Sequence, residues 1–252
     1  MIDTHCHLDA HEFDADRAEV YARAQAAGVD RMIVPAVTAA NFAAVQTVCA
    51  QFPGCQPAWG LHPVYEAQHR EQDLRQLDDW LRAHRPIAIG EIGLDGWEQH
   101  LDFSRQEHFF AAQLELARSH DLPVLLHLRH AVDAGIKHLR RQGISRGIAH
   151  AFNGSRQQAD RLLDMGFKLG FGGAMTYNRA LNLRRLAKEL PLSAIVLETD
   201  APDMSPQWAY QARNSPEYLP RIAAELADLR QMDLTTLLTT CTENTLKILE
   251  MS

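Results

Sequence analysis

Short apolar runs alternate with longer amphipathic stretches along the whole chain. Eight of the runs read as strands, at about 2–7, 31–37, 56–61, 86–92, 123–128, 146–152, 167–172 and 194–200. Arg31-Met32-Ile33-Val34, Pro123-Val124-Leu125-Leu126 and Ala194-Ile195-Val196-Leu197 are examples, short and rich in leucine or β-branched residues. Nearly continuous runs of this kind suit parallel strands covered on both faces. The stretches between them carry helix signals. Ser104 with Glu107 reads as a capping box before Phe110, Leu114 and Ala117, and Ser155 with Gln158 repeats it before Leu162 and Leu163. Ser215-Pro216 offers a cap and a first-turn proline. Two helices, at about 216–230 and 234–250, follow the eighth strand. The pattern predicts an α/β protein, a (β/α)8 TIM barrel with additional C-terminal helices, rather than an open doubly wound sheet. No linker, low-complexity tract or composition shift divides residues 1–252, so a single domain is expected.

In such a barrel the chemistry lies where the strands end. The first run ends in His5-Cys6-His7, which alternation places with both imidazoles on one face and Cys6 on the other. The third runs into Gly60-Leu61-His62-Pro63, the fourth ends at Gly90-Glu91, the fifth at His127, the sixth at His150, and the eighth at Glu198-Thr199-Asp200. His5, His7, Glu91, His127, His150 and Asp200 are therefore expected to converge on one mouth. Four imidazoles and two carboxylates exceed what one tetrahedral ion takes. They suit two divalent ions bridged by a carboxylate, as in a two-metal hydrolytic site. Glu91, between the two histidine groups, is the candidate bridge. A lone histidine at a strand end is commonly a hydrogen-bonded core residue, but six unpaired ligand-type groups at one barrel mouth would destabilise the fold. An imidazole-rich set favours zinc or manganese over magnesium, which prefers oxygen ligands and retained water.

Composition narrows the partners. The 25 Lys and Arg against 32 Asp and Glu give a net charge of −7, which disfavours wrapping a long nucleic-acid backbone. A single phosphate is still admissible if bound metal supplies positive charge. No apolar run approaches the ~18 residues of a membrane span, and Met1-Ile2-Asp3-Thr4-His5 lacks a signal-peptide pattern. Cys6, Cys49, Cys55 and Cys241 have no metal-site spacing and are expected to be reduced thiols in a cytoplasmic protein. The remaining histidines, His11, His69, His84, His100, His108, His120, His130 and His138, are expected at the surface. Asn153-Gly154-Ser155 fits a glycosylation pattern but reads as a turn leading into a helix cap.

Several blocks taken together resemble the signatures of TatD-family metal-dependent hydrolases, deoxyribonuclease-like members of the amidohydrolase superfamily. They are Asp3-Thr4-His5-Cys6-His7-Leu8-Asp9, Gly60-Leu61-His62-Pro63, Gly90-Glu91-Ile92-Gly93-Leu94-Asp95 and Leu197-Glu198-Thr199-Asp200-Ala201-Pro202. Pro123 to Arg129, His150 to Ser155, Asn214 to Leu219 and Thr242-Glu243-Asn244 are similar to further blocks, in order and over essentially the whole chain. Ile33 to Ala36 and Ala201 to Met204 look most like the YjjV-type bacterial branch. The resemblance implies His5 and His7 at a first metal, Glu91 as bridge, His127 and His150 at a second metal, and Asp200 as the terminal aspartate. That aspartate is expected to take a proton from the attacking water, which requires it within about 3 Å. Related proteins cleave DNA, often from the 3′ end, and some deacylate mischarged tRNA. This chain departs from the family at Leu128, Asn153 and Gly96-Trp97, positions that bear on substrate rather than metal.

Three neighbours keep two readings each. Arg129 shares the face of His127 and reads as a phosphate clamp or a surface ion pair. His62 reads as a residue that supports the ligands or contacts substrate, or as a rim histidine. Glu198 reads as a carboxylate orienting a ligand imidazole or as a buried structural acid. The leading expectation is a metal-dependent phosphodiesterase acting on DNA ends or short oligonucleotides, a monomer with no obligate protein partner. Two alternatives are a carboxylic ester or amide hydrolase, including aminoacyl-nucleotide deacylation, and a barrel that binds metal without catalysis.

Overall fold

The computed structural model describes residues 1–251. Strands and helices alternate as β1 (Ile2–Asp3), α1 (Arg17–Ala26), β2 (Arg31–Pro35), α2 (Phe42–Gln51), β3 (Cys55–Trp59), α3 (Glu71–His84), β4 (Ala88–Asp95) and α4 (Phe103–Ser119). They continue as β5 (Val124–Arg129), α5 (Val132–Gln142), β6 (Gly147–Ala149), α6 (Arg156–Asp164), β7 (Lys168–Phe171), α7 (Leu181–Glu189) and β8 (Ile195–Leu197). Two further helices close the described chain, α8 (Leu219–Arg230) and α9 (Leu234–Ile248). All eight strands form one parallel sheet in sequence order. The two edges approach each other beyond the strand ends. Thr4 N–H donates to Leu197 O at 3.0 Å, Asp200 N–H donates to His5 O at 2.8 Å, and Cys6 and Ala201 form a parallel bridge. The architecture is the expected TIM barrel with extra C-terminal helices.

Two apolar layers hold it. Outward-facing strand residues such as Met32, Val34, Ile89, Leu126, Leu169 and Phe171 pack under the helices. Inward-facing residues form a separate plug near the strand starts, where Ile33, Ala58, Ala88, Leu125, Ile148 and Val196 meet Ile248 and Leu249 at the end of α9. Burying each large side chain contributes about 1.5–3 kcal/mol. The strands are shorter than the sequence pattern predicts at β1, β6 and β8. Their ladders stop where the chain turns to present polar groups, so His5, His7, His150 and Asp200 lie just past regular strand.

Strand β4 departs the other way, running on to Asp95 instead of stopping at 92. Its pairing with β5 is regular from Ile92↔Leu126 to Asp95↔Arg129, but the register shifts between Ile89 and Ile92. Gly90 and Glu91 thus share the space of one partner residue, a bulge of the kind that re-aims a side chain.

The caps show which local signals prevail. Ser155 and Gln158 form the expected reciprocal box, with Gln158 N–H donating to Ser155 Oγ at 3.1 Å and Ser155 N–H to Gln158 Oε1 at 2.8 Å. At α4 the cap is Asp102, which accepts from Arg105 N–H at 3.1 Å, and Ser104 lies inside the helix. A carboxylate opposite the helix dipole outcompetes a hydroxyl two residues later. Ser215 makes no side-chain cap, and Pro216–Tyr218 is a separate 3-10 turn before α8. Two of the eight histidines expected at the surface are buried. His69 Nε2 lies 2.8 Å from His62 O, and His138 Nε2 lies 3.1 Å from Glu107 Oε1. All four cysteines are free, and burial pushes the Cys55 and Cys241 thiols up to about 12. No helix among the described residues is long and apolar enough to cross a membrane.

Candidate metal centre

Alternation along each strand decides what enters the mouth. On β5 the plug residue Leu125 is followed two positions on by His127, on β6 Ile148 by His150, and on β8 Val196 by Glu198 and then Asp200. A period of two keeps each pair on one face, so the barrel interior turns from apolar to ligand-bearing within one repeat.

Glu91 stands at the centre, 2% exposed. Its Oε1 lies 2.7 Å from His150 Nε2, 3.0 Å from His127 Nδ1 and 3.2 Å from His62 Nε2. Its Oε2 lies 3.1 Å from His5 Nε2 and 3.5 Å from His7 Nε2. Asp200 Oδ1 is 3.8 Å from both of the latter nitrogens. The two carboxylate oxygens therefore face two different donor groups. Three triads have ligand atoms close enough for one ion: His5, His7 and Asp200; His5, Glu91 and His150; and His62, Glu91 and His127.

The donors fit a cation better than they fit each other. A carboxylate offers about four lone-pair sites, fewer than the five ring nitrogens aimed at it, and charging every ring in so small a volume is prohibitive. Burial holds His5 down to about 3 and His62 down to about 4, so both are neutral near pH 7. His7 and His150 move up to about 9 and about 10, because Glu91 outweighs their burial. Burial raises the Asp200 carboxyl. His5 Nδ1 and His150 Nδ1 are buried without partners.

Supporting residues fix this set from behind. His127 lies across from Gly93 in the ladder, with Glu91 and Asp95 two residues to either side. Its ring spans them, Nδ1 toward Glu91 and Nε2 at 2.9 Å from Asp95 Oδ2. A Cβ on Gly93 would fall 1.9 Å from His127 O, so only glycine allows this approach. Burial opposes the Asp95 charge, but the His127 contact and the N–H groups of Trp97 and Glu98 hold its pKa down to about 2. Sequence reading missed the role of Asp95, because the predicted fourth strand stops short of it. Its signal was the even spacing Glu91, Gly93, Asp95.

Asp3 was also overlooked, although it alternates with His5 and His7. Fully buried, it accepts from His5 N–H at 3.2 Å, Thr199 N–H at 2.9 Å and Thr199 Oγ1–H at 2.6 Å, which ties β1 to the end of β8. Burial pushes its carboxyl up to about 7. Glu198 Oε1 accepts the Ala151 N–H at 2.5 Å and lies 3.9 Å from His150 Nδ1. Burial raises its carboxyl to about 8. Asp200 has left-handed backbone, with φ 59°, a conformation uncommon for residues other than glycine but one that aspartate adopts more readily than most. Asn214 braces it from beyond β8, donating from Nδ2 to Thr199 O and Asp203 O, each at 2.7 Å.

The centre opens into a cavity of about 940 Å³ whose lining includes Tyr65, Trp97, Leu128, Arg129 and Asn153. Arg129 is half-exposed at its rim. Its Nη1 is 4.0 Å from Asp95 Oδ2 and 3.8 Å from Glu98 Oε1. His62 lies deeper than a rim residue, against Glu91 itself.

Comparisons with known proteins place the chain in a family. Residues 2–250 match the family model for TatD related DNase. The chain is 43% identical to the metal-dependent hydrolase YjjV of Escherichia coli K12 over 235 residues, covering 92% of this chain and 90% of that one. It is 34% identical over 238 residues to the 3′-5′ ssDNA/RNA exonuclease TatD of Klebsiella pneumoniae, covering 91% and 90%. The crystal structure of YjjV, a TatD homologue from Escherichia coli K12, superposes with a TM-score of 0.95 over 98% of this chain and 97% of that one, at 39% identity. With its barrel, its imidazole-ringed carboxylate and this match along nearly its whole length, the chain belongs to the TatD family of metal-dependent hydrolases.

Proposed function

We propose that this hydrolase is a phosphodiesterase that uses two divalent ions to cleave DNA ends or short oligonucleotides. The observation that carries the reading is the two-sided Glu91, with His5 and His7 on one oxygen and His62, His127 and His150 on the other. In this reading His5, His7 and Asp200 would hold one ion and His127 and His150 the second, with Glu91 serving both. The ions, zinc or manganese in preference to magnesium, supply an acidified water and positive charge against the phosphoryl oxygens. Asp200 Oδ1 faces two imidazoles, which leaves Oδ2 to accept the proton of the attacking water. Asp95 fixes the ring of His127, and Glu198 stands behind His150, 3.9 Å from its Nδ1 and bonded to the adjacent Ala151 N–H. His62 and Arg129 bind the substrate phosphate, His62 at the floor and Arg129 at the rim.

The relative named as a 3′-5′ ssDNA/RNA exonuclease supports a nucleic-acid end as substrate. The net charge of −7 favours a short segment over an extended backbone. The chain acts in this reading as one domain, residues 1–252, and as a monomer without an obligate partner. Its free thiols fit a reducing cytoplasm. The same net charge of −7 also favours the second reading, hydrolysis of a carboxylic ester or amide such as an aminoacyl-nucleotide. Turnover of single-stranded oligonucleotides, carboxylic esters, amides and aminoacyl-nucleotides should be compared under one manganese or zinc condition. Cleavage of the oligonucleotides is expected. Turnover of carbonyl substrates alone would overturn the phosphodiesterase assignment.

A further inference from the structure

Trp97 is the most exposed of the four tryptophans, with 53% of its surface open, and it lines the same cavity as Glu91 and Asp200. Leaving so large an apolar ring in water forgoes stabilisation that burial would give. The loop that carries it is nonetheless tied to the metal centre. The Trp97 backbone N–H donates to Asp95 Oδ1 at 2.8 Å, while Oδ2 of the same carboxylate contacts the ring of His127. One side chain thus fixes both the indole's loop and a ring of the metal centre. The Arg129 guanidinium lies over the indole at 5.1 Å, and the His130 ring is 4.8 Å away. Tyr65, 38% exposed, also lines the cavity.

We propose that Trp97 is a stacking platform for the terminal nucleobase of a single-stranded nucleic acid, which takes the part of the ring left open by Arg129, with the Arg129 guanidinium placed to meet the adjoining phosphate. The assignment rests on the phosphodiesterase reading and adds what recognises the strand end. An exposed indole offers an apolar face to any base, so it selects for an unpaired base without selecting its identity. A base within a duplex is already stacked and cannot reach it. Because the shared Asp95 ties the Trp97 backbone to the metal centre, a base seated on the indole sets which phosphate arrives at Glu91.

The test compares two single-stranded oligonucleotides of equal length, one with a base on its 3′-terminal nucleotide and one abasic there. Both are given with manganese to wild type, Trp97→Ala and Trp97→Phe. Wild type should favour the base-bearing end by about tenfold or more in kcat/KM. Trp97→Ala should bring that substrate down to the abasic level, chiefly through KM, and Trp97→Phe should retain most of the preference. An unchanged preference in Trp97→Ala, or an equal loss on both substrates, would overturn the platform. Titrating the chelator-treated protein with single-stranded oligo-dT separates the two readings. Quenching of tryptophan emission in wild type but not in Trp97→Ala, without cleavage when manganese is restored, would retain the platform and reject the phosphodiesterase. Absence of quenching would reject the platform whatever is cleaved.

Discussion

Each end of β8 is held by a buried asparagine, and the two asparagines use the same bonds. Asn244, on α9, donates from Nδ2 to Leu192 O and Ile195 O, each at 2.8 Å, where the strand begins. Asn214, in the loop beyond β8, donates to Thr199 O and Asp203 O just past the point where the strand ends. The first satisfies carbonyls beside the apolar plug of Leu125, Ile148 and Val196. The second steadies a left-handed aspartate beside Glu91. At one end polar bonding completes a packed core. At the other it holds charges and lone pairs together that would otherwise separate. The same eight strands supply both, because two residues along an inward face are enough to exchange leucine for histidine.

This division can be broken from either side. The largest effect is expected from Glu91→Gln. It should abolish binuclear metal binding and lower kcat/KM by more than the roughly 10–100-fold that loss of a ligand-supporting residue costs. Elemental analysis and turnover would be the readouts. Chelation should lower the melting temperature of wild type, since ions bound only by the folded state stabilise it. It should barely move Glu91→Gln, and an equal shift in both would place the stabilising ion elsewhere. At the plug, Leu125→Ala should cost about 2–5 kcal/mol in denaturant unfolding, with metal stoichiometry per folded molecule intact. Asp95→Asn comes next, weakening metal affinity by about 10–100-fold in calorimetric titration.

The smallest difference is the most discriminating. Asn214→Ala and Asn244→Ala should each destabilise by about 1–3 kcal/mol, the cost of leaving buried carbonyls unpaired. Only Asn214→Ala should also reduce turnover by the folded enzyme. Equal losses of activity in both would erase the distinction between the two ends.

Where the interior face follows plain alternation, the sequence was enough to bring residues together. His5, His7, His127 and His150 meet around Glu91 because each follows the inward face of its run by steps of two, and Asp200 joins them through its left-handed backbone. What escaped depends on departures from that period or on distant neighbours. The Gly90–Glu91 bulge and the extension of β4 to Asp95 break the count within one strand. The depth of His62 is set by the turn after β3, whose apolar run says nothing of Glu91. His69 looks like a surface residue until the carbonyl of His62 is found beside its ring. The choice of Asp102 over Ser104 as a cap was open to local reasoning, since a carboxylate gains from the helix dipole that a hydroxyl does not.

Closure of the barrel also orders events in time. Glu91, His127 and His150 sit on three consecutive neighbouring strands, so short-range pairing alone brings them together. His5 and Asp200 meet only when Thr4 pairs with Leu197, a separation of 193 residues. Contacts of such range form against a greater loop entropy and slow folding. A refolding chain should therefore assemble the His127 and His150 half of the centre before the His5 and His7 half. Metal present from the start would then bind in two kinetic steps, the later one coinciding with the final seam.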